Sequence, residues 1–528
     1  MAKLSIGELF PPIVKKSSQQ TQMLPFKQLV AEQRKFFKSG QPATYEHRIQ
    51  ALQKLRQILC NGREQLVDAV YKDLRRDRLT TDFVEIATCL QEIDYFCENL
   101  KEWMQPEYAE RTMATMFDEL YIVREPFGCA LLLGPFNYPI FLVVLPLIAL
   151  IAAGNTVMLK PSDLTPHVAH VFDQLFTEVF DKKFISVVVT DTAGTIELTQ
   201  EHFDIIMFTG STTVGREVMK AAAEHLTPVV LEMGGKCPAL IEEDADMQVT
   251  AKRIVWGKFL NCGQTCIAPD YLIMTQKTRK LLFSTLVQVM RDFYGNDPKQ
   301  SPDYSRVVNE HHFDRISALV QQTKGMVLHK EGESDRSDLY IPPMIVEIDE
   351  ESDVLMGSEI FGPILPIYIV EDFDEALEFL RHRESPINVS IFTRNAEKVD
   401  RVIKEVHAGN VLQNDVIMNF TVDTLPFSGV GKSGLGGAYR GKFGFDTFSH
   451  RKSVMKRGFF ADCMMGARYP PMTSPKHKTL LMLTTRRTLP RFLKTLFRYL
   501  PLILLGIVLQ WKFGSSPNSS SGHFLTKE

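Results

Sequence analysis

CALLLGPFNYPIFLVVLPLIALIAAGNTVMLKPSD, residues 129–163, decides the fold. Its first six residues, CALLLG, are a short apolar run closed by Gly-Pro, which predicts a buried strand. PIFLVVLPLIALIAAG (139–154) is apolar nearly all round and ends in glycine, which predicts a buried helix with a C-terminal glycine. TVMLKP then predicts a second strand, followed by a helix from about Pro166 to Phe180. ISVVVTD and FDIIMFTG (203–210) predict a third and a fourth strand. Strand and helix alternating at this spacing predict an α/β fold: a parallel sheet with helices on both faces. Ligands in such sheets bind beyond the carboxyl ends of the strands. Those ends carry Asn137, Lys160 and the Gly210 turn.

Outward from this unit, residues 27–104 read as helices. RIQALQKLRQIL and REQLVDAVYKDLRR space apolar residues three and four apart, with charges between them. After TPVVLEMGGKCPALI (227–241) a second α/β region begins and runs to about residue 418. The glycine-rich stretch LPFSGVGKSGLGGAYRGKFGFDTFSH (425–450) closes the folded part.

The 528 residues suffice for two or three units with sizeable cores, and 45% hydrophobic with 23% charged is an ordinary globular balance. No fixed-period repeat appears, which excludes solenoids and fibres. The first residues lack an apolar signal core, so the expected address is the cytosol or the cytosolic side of a membrane. With that address, eight scattered cysteines are expected as reduced thiols.

Net charge divides sharply along the chain. Residues 1–450 carry 46 Lys and Arg against 61 Asp and Glu, whereas residues 451–528 carry 14 against 2. A basic tail with an apolar run at about 496–511 points to an anionic membrane surface rather than nucleic acid. The run is shorter than the roughly 20 residues of a spanning helix. Both a short anchor and a segment lying in the interface fit it.

Several short motifs carry chemistry. In FTGSTTVGREV, Gly210, Ser211 and Gly215 lie in a strand-to-helix turn whose backbone amides suit a pyrophosphate. A purely structural turn reads equally well. Lys160 and Asp163 of LKPSD are placed to grip ribose hydroxyls; the plainer alternative is a helix start with Ser162 as its cap. Glu232 of LEMGG sits at a strand end before two glycines. A carboxylate among apolar strand residues acquires a raised pKa, which suits a general base. In FLNCGQTCIAPD (259–270), the lone Cys-x3-Cys spacing is poor for zinc, so no metal site is expected. The polar GQTC setting favours Cys266 over Cys262 as a nucleophile.

Together GPFNYP (134–139), KPSD (160–163), FTGSTTVG (208–215), LEMGGKCP (231–238), GQTC (263–266), EIFGP (359–363) and LPFSGVGKSG (425–434) resemble the NAD(P)-dependent aldehyde dehydrogenase superfamily. The class-3 branch, which includes fatty aldehyde dehydrogenases, is the nearest in character. The resemblance covers about residues 27–455. It implies Cys266 as the nucleophile, Glu232 as the general base and Asn137 as an oxyanion donor. It also implies Lys160, Asp163, Gly210, Ser211, Gly215, Glu359 and Phe361 as contacts to a nicotinamide cofactor. Position 163 is often Glu in that family and is Asp here. An acid at this place implies NAD, with NADP as the alternative. Ser428 stands where glycine is common, and no role is assigned to it.

The implied architecture is an N-terminal extension (1–26), a cofactor domain (27–104 and 128–231), a catalytic domain (232–418), a small bridging β element (105–127 and 419–450) and the basic tail (451–528). The implied function is oxidation of medium- or long-chain fatty aldehydes to carboxylic acids through a cysteine thiohemiacetal and thioester. Aromatic aldehydes, a CoA-acylating variant and a catalytically silent membrane scaffold are the alternatives. A homodimer is expected, with no nucleic-acid partner. The tail is expected to hold it on a membrane, the mitochondrial outer membrane ahead of endoplasmic reticulum or lipid droplets.

Overall fold

The computed structural model describes residues 25–484 and Tyr499. Apart from Tyr499, the membrane segment expected at about 496–511 lies outside the described residues, as does nearly all of the expected N-terminal extension. Among the described residues no helix is long and apolar enough to cross a membrane.

The stretch that decides the fold forms the elements expected of it. Cys129–Leu133 and Thr156–Lys160 are fully buried parallel neighbours, and the helix Phe141–Ala153 between them is buried at every position. Gly154 ends that helix at φ +92°, in the left-handed region that glycine tolerates best. A side chain there would also meet the Arg48 guanidinium, which donates to the Ala152 carbonyl at 2.8 Å.

These strands belong to a six-stranded sheet. Its order, edge to edge, is Gly434–Leu435, Val229–Glu232, Ile205–Thr209, Cys129–Leu133, Thr156–Lys160 and Ile185–Val187. All pairs are parallel except the first, where the two-residue strand runs antiparallel to Val229–Glu232. The third expected strand is shorter than its apolar run, and the helix after LKPSD is Pro166–Val179. Thr165, not Ser162, occupies that helix's N-cap; Ser162 Oγ instead accepts from the Leu164 amide at 3.2 Å.

A seven-stranded sheet forms the second α/β region, ordered Met326–Lys330, Met344–Ile348, Ile364–Val370, Tyr271–Thr275, Pro238–Ile241, Asn388–Phe392 and Asn410–Gln413. Only its first pair is antiparallel. Both sheets belong to one compact unit, residues 25–104 and 124–450. Within that unit one core cluster includes Leu132, Phe141 and Val157 from around the first sheet and Leu240, Ile273 and Ile367 from the second.

Residues 105–123 and 451–484 form a second unit. It holds most of a three-stranded sheet made of Glu107–Tyr108, Glu119–Pro126 and Ser449–Lys456, plus the helix Ser474–Thr484. Asp118 and Arg457 pair within it. The stretch 419–450, expected with the bridging element, therefore lies instead in the large unit. Its Gly434–Leu435 finds backbone partners on Val229–Glu232, and its helix Gly441–Thr447 is anchored where the Gly441 amide donates to buried Glu92 at 2.8 Å.

Candidate active site

The six-stranded sheet lines up its chemistry by register. Leu133 pairs with both Lys160 and Phe208, and Thr209 pairs with Glu232. Parallel strands thus end together, and GPFNYP, KPSD, the Gly210 turn and LEMGG leave the sheet side by side. Two backbone bonds stitch the exits: Gly134 N to Lys160 O and Gly210 N to Glu232 O, both 2.9 Å.

Glu232 is the last residue of its strand and is buried. One carboxylate oxygen accepts from the Gly429 amide at 3.2 Å, while Oε1 has no partner. Burial pushes its carboxyl up to about 8, against the Gly429 amide and the Ser428 hydroxyl, which favour the charged form. Ser428, left without a role by the sequence, thus touches the candidate base.

Cys266 leaves a loop of unusual backbone. The helix Met247–Phe259 is followed by Asn261, Cys262 and Gly263 at φ +52°, +56° and +73°. Consecutive non-glycine residues in this region are held by surrounding structure. Gln264 supplies much of that hold. Its Nε2 donates to the Asn261 and Arg306 carbonyls at 3.0 and 2.9 Å, and its Oε1 accepts from the Val308 amide at 2.9 Å. The loop separates the two cysteines. Cys262 is fully buried with Sγ 4.0 Å from Tyr304 Oη, and burial raises its thiol to about 12. Cys266 is half-buried. Burial, followed by the Glu359, Cys237 and Glu232 charges, pushes its thiol well above the ordinary range. It therefore needs a base to ionise it, and Glu232 is among the groups that it senses.

Asn137 is tied to this loop from both sides. Its carbonyl accepts from Asn261 Nδ2 at 2.9 Å and Arg76 Nη1 at 3.0 Å. The next residue, Tyr138, bonds through its hydroxyl to Thr265 Oγ1 at 2.7 Å, directly before Cys266. Arg76 lies over the Tyr138 ring and pairs with fully buried Glu85. Glu85 Oε2 then accepts from the Ile140 and Phe141 amides at 2.7 and 2.9 Å, at the start of the buried helix. Arg76 and Glu85 were not singled out in the sequence: KDLRRD reads as a solvated charge run, and burial leaves no local mark.

EIFGP closes the site. Glu359 has a buried, unpartnered Oε1, and burial raises its carboxyl to about 8. A side chain at Gly234 would lie 2.0 Å from Glu359 Oε2 and would displace that carboxylate from its present place. Phe361, at φ +48°, packs its ring against Phe136 of GPFNYP with centroids 5.7 Å apart.

The remaining predicted residues lie on the same sheet edge. Lys160 Nζ holds Asp163 Oδ1 at 3.0 Å, and Thr192 Oγ1 reaches Oδ2 at 3.5 Å. Ser211 caps the twelve-residue helix Thr212–Ala223 by accepting from the Val214 amide at 3.3 Å. Side chains at Gly210 and Gly215 would strike Phe208 and Met233 at 2.5 and 2.7 Å. A bare turn at a helix amino end, an orphan carboxylate oxygen at Glu359 and a lysine–acid pair fit a dinucleotide's diphosphate and two riboses. Among the described residues no group of three or more His, Cys, Asp or Glu could hold a metal ion.

Residues 15–454 match the model of the aldehyde dehydrogenase family. The chain is 41% identical over 443 residues to mouse aldehyde dehydrogenase family 3 member A2, covering 84% of this chain and 91% of that one. It is 42% identical over 451 residues to the rat protein named aldehyde dehydrogenase, dimeric NADP-preferring, covering 85% and 98%. Among solved structures, the substrate-bound state of Staphylococcus aureus AldH superposes with a TM-score of 0.84 at 37% identity, covering 87% of this chain and 99% of that one.

Proposed function

The chain belongs to the aldehyde dehydrogenase family, and we propose that it oxidises medium- and long-chain aldehydes to carboxylic acids at Cys266 with NAD as acceptor. The observation that carries the site assignment is that half-buried Cys266 senses both the Glu232 and Glu359 carboxylates while its loop is tied through Asn261 to Asn137.

Glu232 takes the Cys266 thiol proton, directly or through water. The thiolate sulfur adds to the aldehyde carbon, giving a thiohemiacetal alkoxide. The Asn137 side-chain amide and the Cys266 backbone amide donate to that oxygen. The nicotinamide, when bound, supplies the two-electron acceptor that turns the adduct into a thioester. Glu232 first gives the thiol's proton up to solvent, and its carboxylate then takes a proton from water as the water oxygen attacks the thioester carbon. The carbon–sulfur bond breaks, the acid leaves and the proton returns the Cys266 thiol. Lys160, Asp163, Gly210, Ser211, Gly215, Glu359 and Phe361 hold the cofactor. Asp163 sets a negative charge against a 2′-phosphate, which favours NAD over NADP.

The basic, apolar tail supports the choice of substrate, because an enzyme held at a bilayer meets aldehydes that partition into it. The same reading makes it membrane-associated, its active domain facing the cytosol, on the mitochondrial outer membrane in preference to endoplasmic reticulum or lipid droplets. It also makes the protein a homodimer, a reading supported by the word dimeric in the rat relative's name. The test is kcat/KM for hexadecanal, benzaldehyde and acetaldehyde, each with NAD and with NADP. Hexadecanal with NAD should lead; preference for acetaldehyde would end the lipid reading, and preference for NADP the Asp163 reading. Deleting residues 480–528 should move the protein from the membrane pellet to the supernatant, and a soluble full-length protein would refute the tether.

A further inference from the structure

Resting on the reading of Cys266 as nucleophile and Glu359 as a cofactor contact, we propose that Asp270 and Lys236 are positioning residues. Together they clasp the nucleophile's loop to the cofactor's loop. Asp270 lies four residues after Cys266 and is 4% exposed. Its two carboxylate oxygens accept from the Ile360 amide at 3.2 and 3.3 Å. Lys236 Nζ donates to Asp270 Oδ2 at 2.6 Å and to the Ser358 carbonyl at 3.3 Å. The residues on either side of Glu359 are therefore both held, and Arg315 Nη2 holds the Ile360 carbonyl at 2.8 Å.

The same aspartate reaches the nucleophile. Its backbone amide donates to the Cys237 carbonyl at 2.8 Å, and Cys237 Sγ donates to the Cys266 carbonyl at 3.3 Å. A second contact joins the loops at Gly263, where any side chain would lie 2.2 Å from the Gly362 carbonyl oxygen. Fully buried Lys258 adds a further charge 3.7 Å from Asp270 Oδ1. Burying such charges is costly, and apolar residues of similar volume would often stabilise a core as well. What they provide here is geometry. Oxidation of the adduct on Cys266 needs its carbon and the acceptor ring in near-attack placement, where an error of about 1 Å costs on the order of 100-fold.

The experiment uses full-length Asp270→Asn, Lys236→Met and Lys236→Arg. Each is assayed for NAD-dependent aldehyde oxidation and for hydrolysis of p-nitrophenyl acetate without cofactor. The ester acylates the Cys266 sulfur and releases nitrophenolate with no electron transfer, so it reads the nucleophile and Glu232 alone. In Asp270→Asn and Lys236→Met, kcat/KM for NAD should fall about 10- to 100-fold while ester hydrolysis stays within about twofold. Lys236→Arg, which keeps the charge on Asp270, should recover most of the loss. The clasp is refuted if kcat/KM for NAD is unchanged, or if both activities fall in parallel. Should Asp270→Asn fail to fold, the Lys236 pair decides. A wild type inactive on every aldehyde, or an active Cys266→Ala, would overturn the site reading instead.

Discussion

Glu232→Gln should raise stability and abolish catalysis at the same alkaline pH. The folded carboxyl titrates at about 8, against an ordinary value of 4.5, because burial penalises its charge. Its folded pKa is raised, so between those values the native state holds a proton that the open chain has lost. Stability is therefore greatest below about 4.5, falls as pH rises through 8, and levels off above it. The whole span is worth at most about 5 kcal/mol. Glutamine has no charge to bury. Wild type and variant should melt together at pH 5, and the variant should melt several degrees higher at pH 9.

Catalysis runs the other way. About one Glu232 in ten is ionised at pH 7, so kcat limited by its proton transfer should climb about tenfold per unit below pH 7 and flatten above 9. Glu232→Gln should lose that limb and about 100- to 10,000-fold in rate at pH 9. The assays are thermal melts and NADH formation across pH. Glu359 also titrates near 8, so Glu359→Gln is the control, and its rate limb should persist. Ser428→Ala removes a bond to the charged form and should shift the limb to higher pH. If Glu232→Gln kept the limb, the rise would belong to Cys266 ionising by itself, and the base assignment would fall.

Cys266→Ala should abolish both aldehyde oxidation and ester hydrolysis, whereas Cys262→Ala, in its own buried pocket, should keep most of each; equal loss would contradict the single-thiol reading. Glu85→Gln leaves Arg76 buried without its counter-charge and should cost about 3–5 kcal/mol, read as a fall in Tm and denaturant midpoint. A change within error would mean that the pair does not brace Asn137.

The strands of the first sheet were legible because they are short apolar runs with punctuated ends, and the helix between the first two is apolar nearly all round. The closing stretch was not. GKSGLGGAYR has no strand periodicity, and its two paired residues are defined only by the partner edge at Leu231 and Glu232. The tail's expected membrane segment lies outside the described residues.

The site shows where reading a sequence stops. The residues proposed for catalysis and cofactor binding sit in short motifs, so Asn137, Glu232, Cys266 and Glu359 could be named one by one. The residues that hold them act through backbone groups far away in the chain: Arg76 on the Asn137 carbonyl, Gln264 on the Val308 amide, Asp270 on the Ile360 amide. A side chain bonded to a backbone group constrains that group's position but not its residue type, so neither partner's identity announces the pair. The one local trace is strain. Cys262 holds left-handed backbone that its side chain disfavours, directly after Asn261 in the same region, and the sequence around them offers glycine only at Gly263. If that conformation exists to aim the loop, Asn261→Gly should relieve strain yet remove the Nδ2 bond to Asn137, giving a protein that folds as well and turns over more slowly.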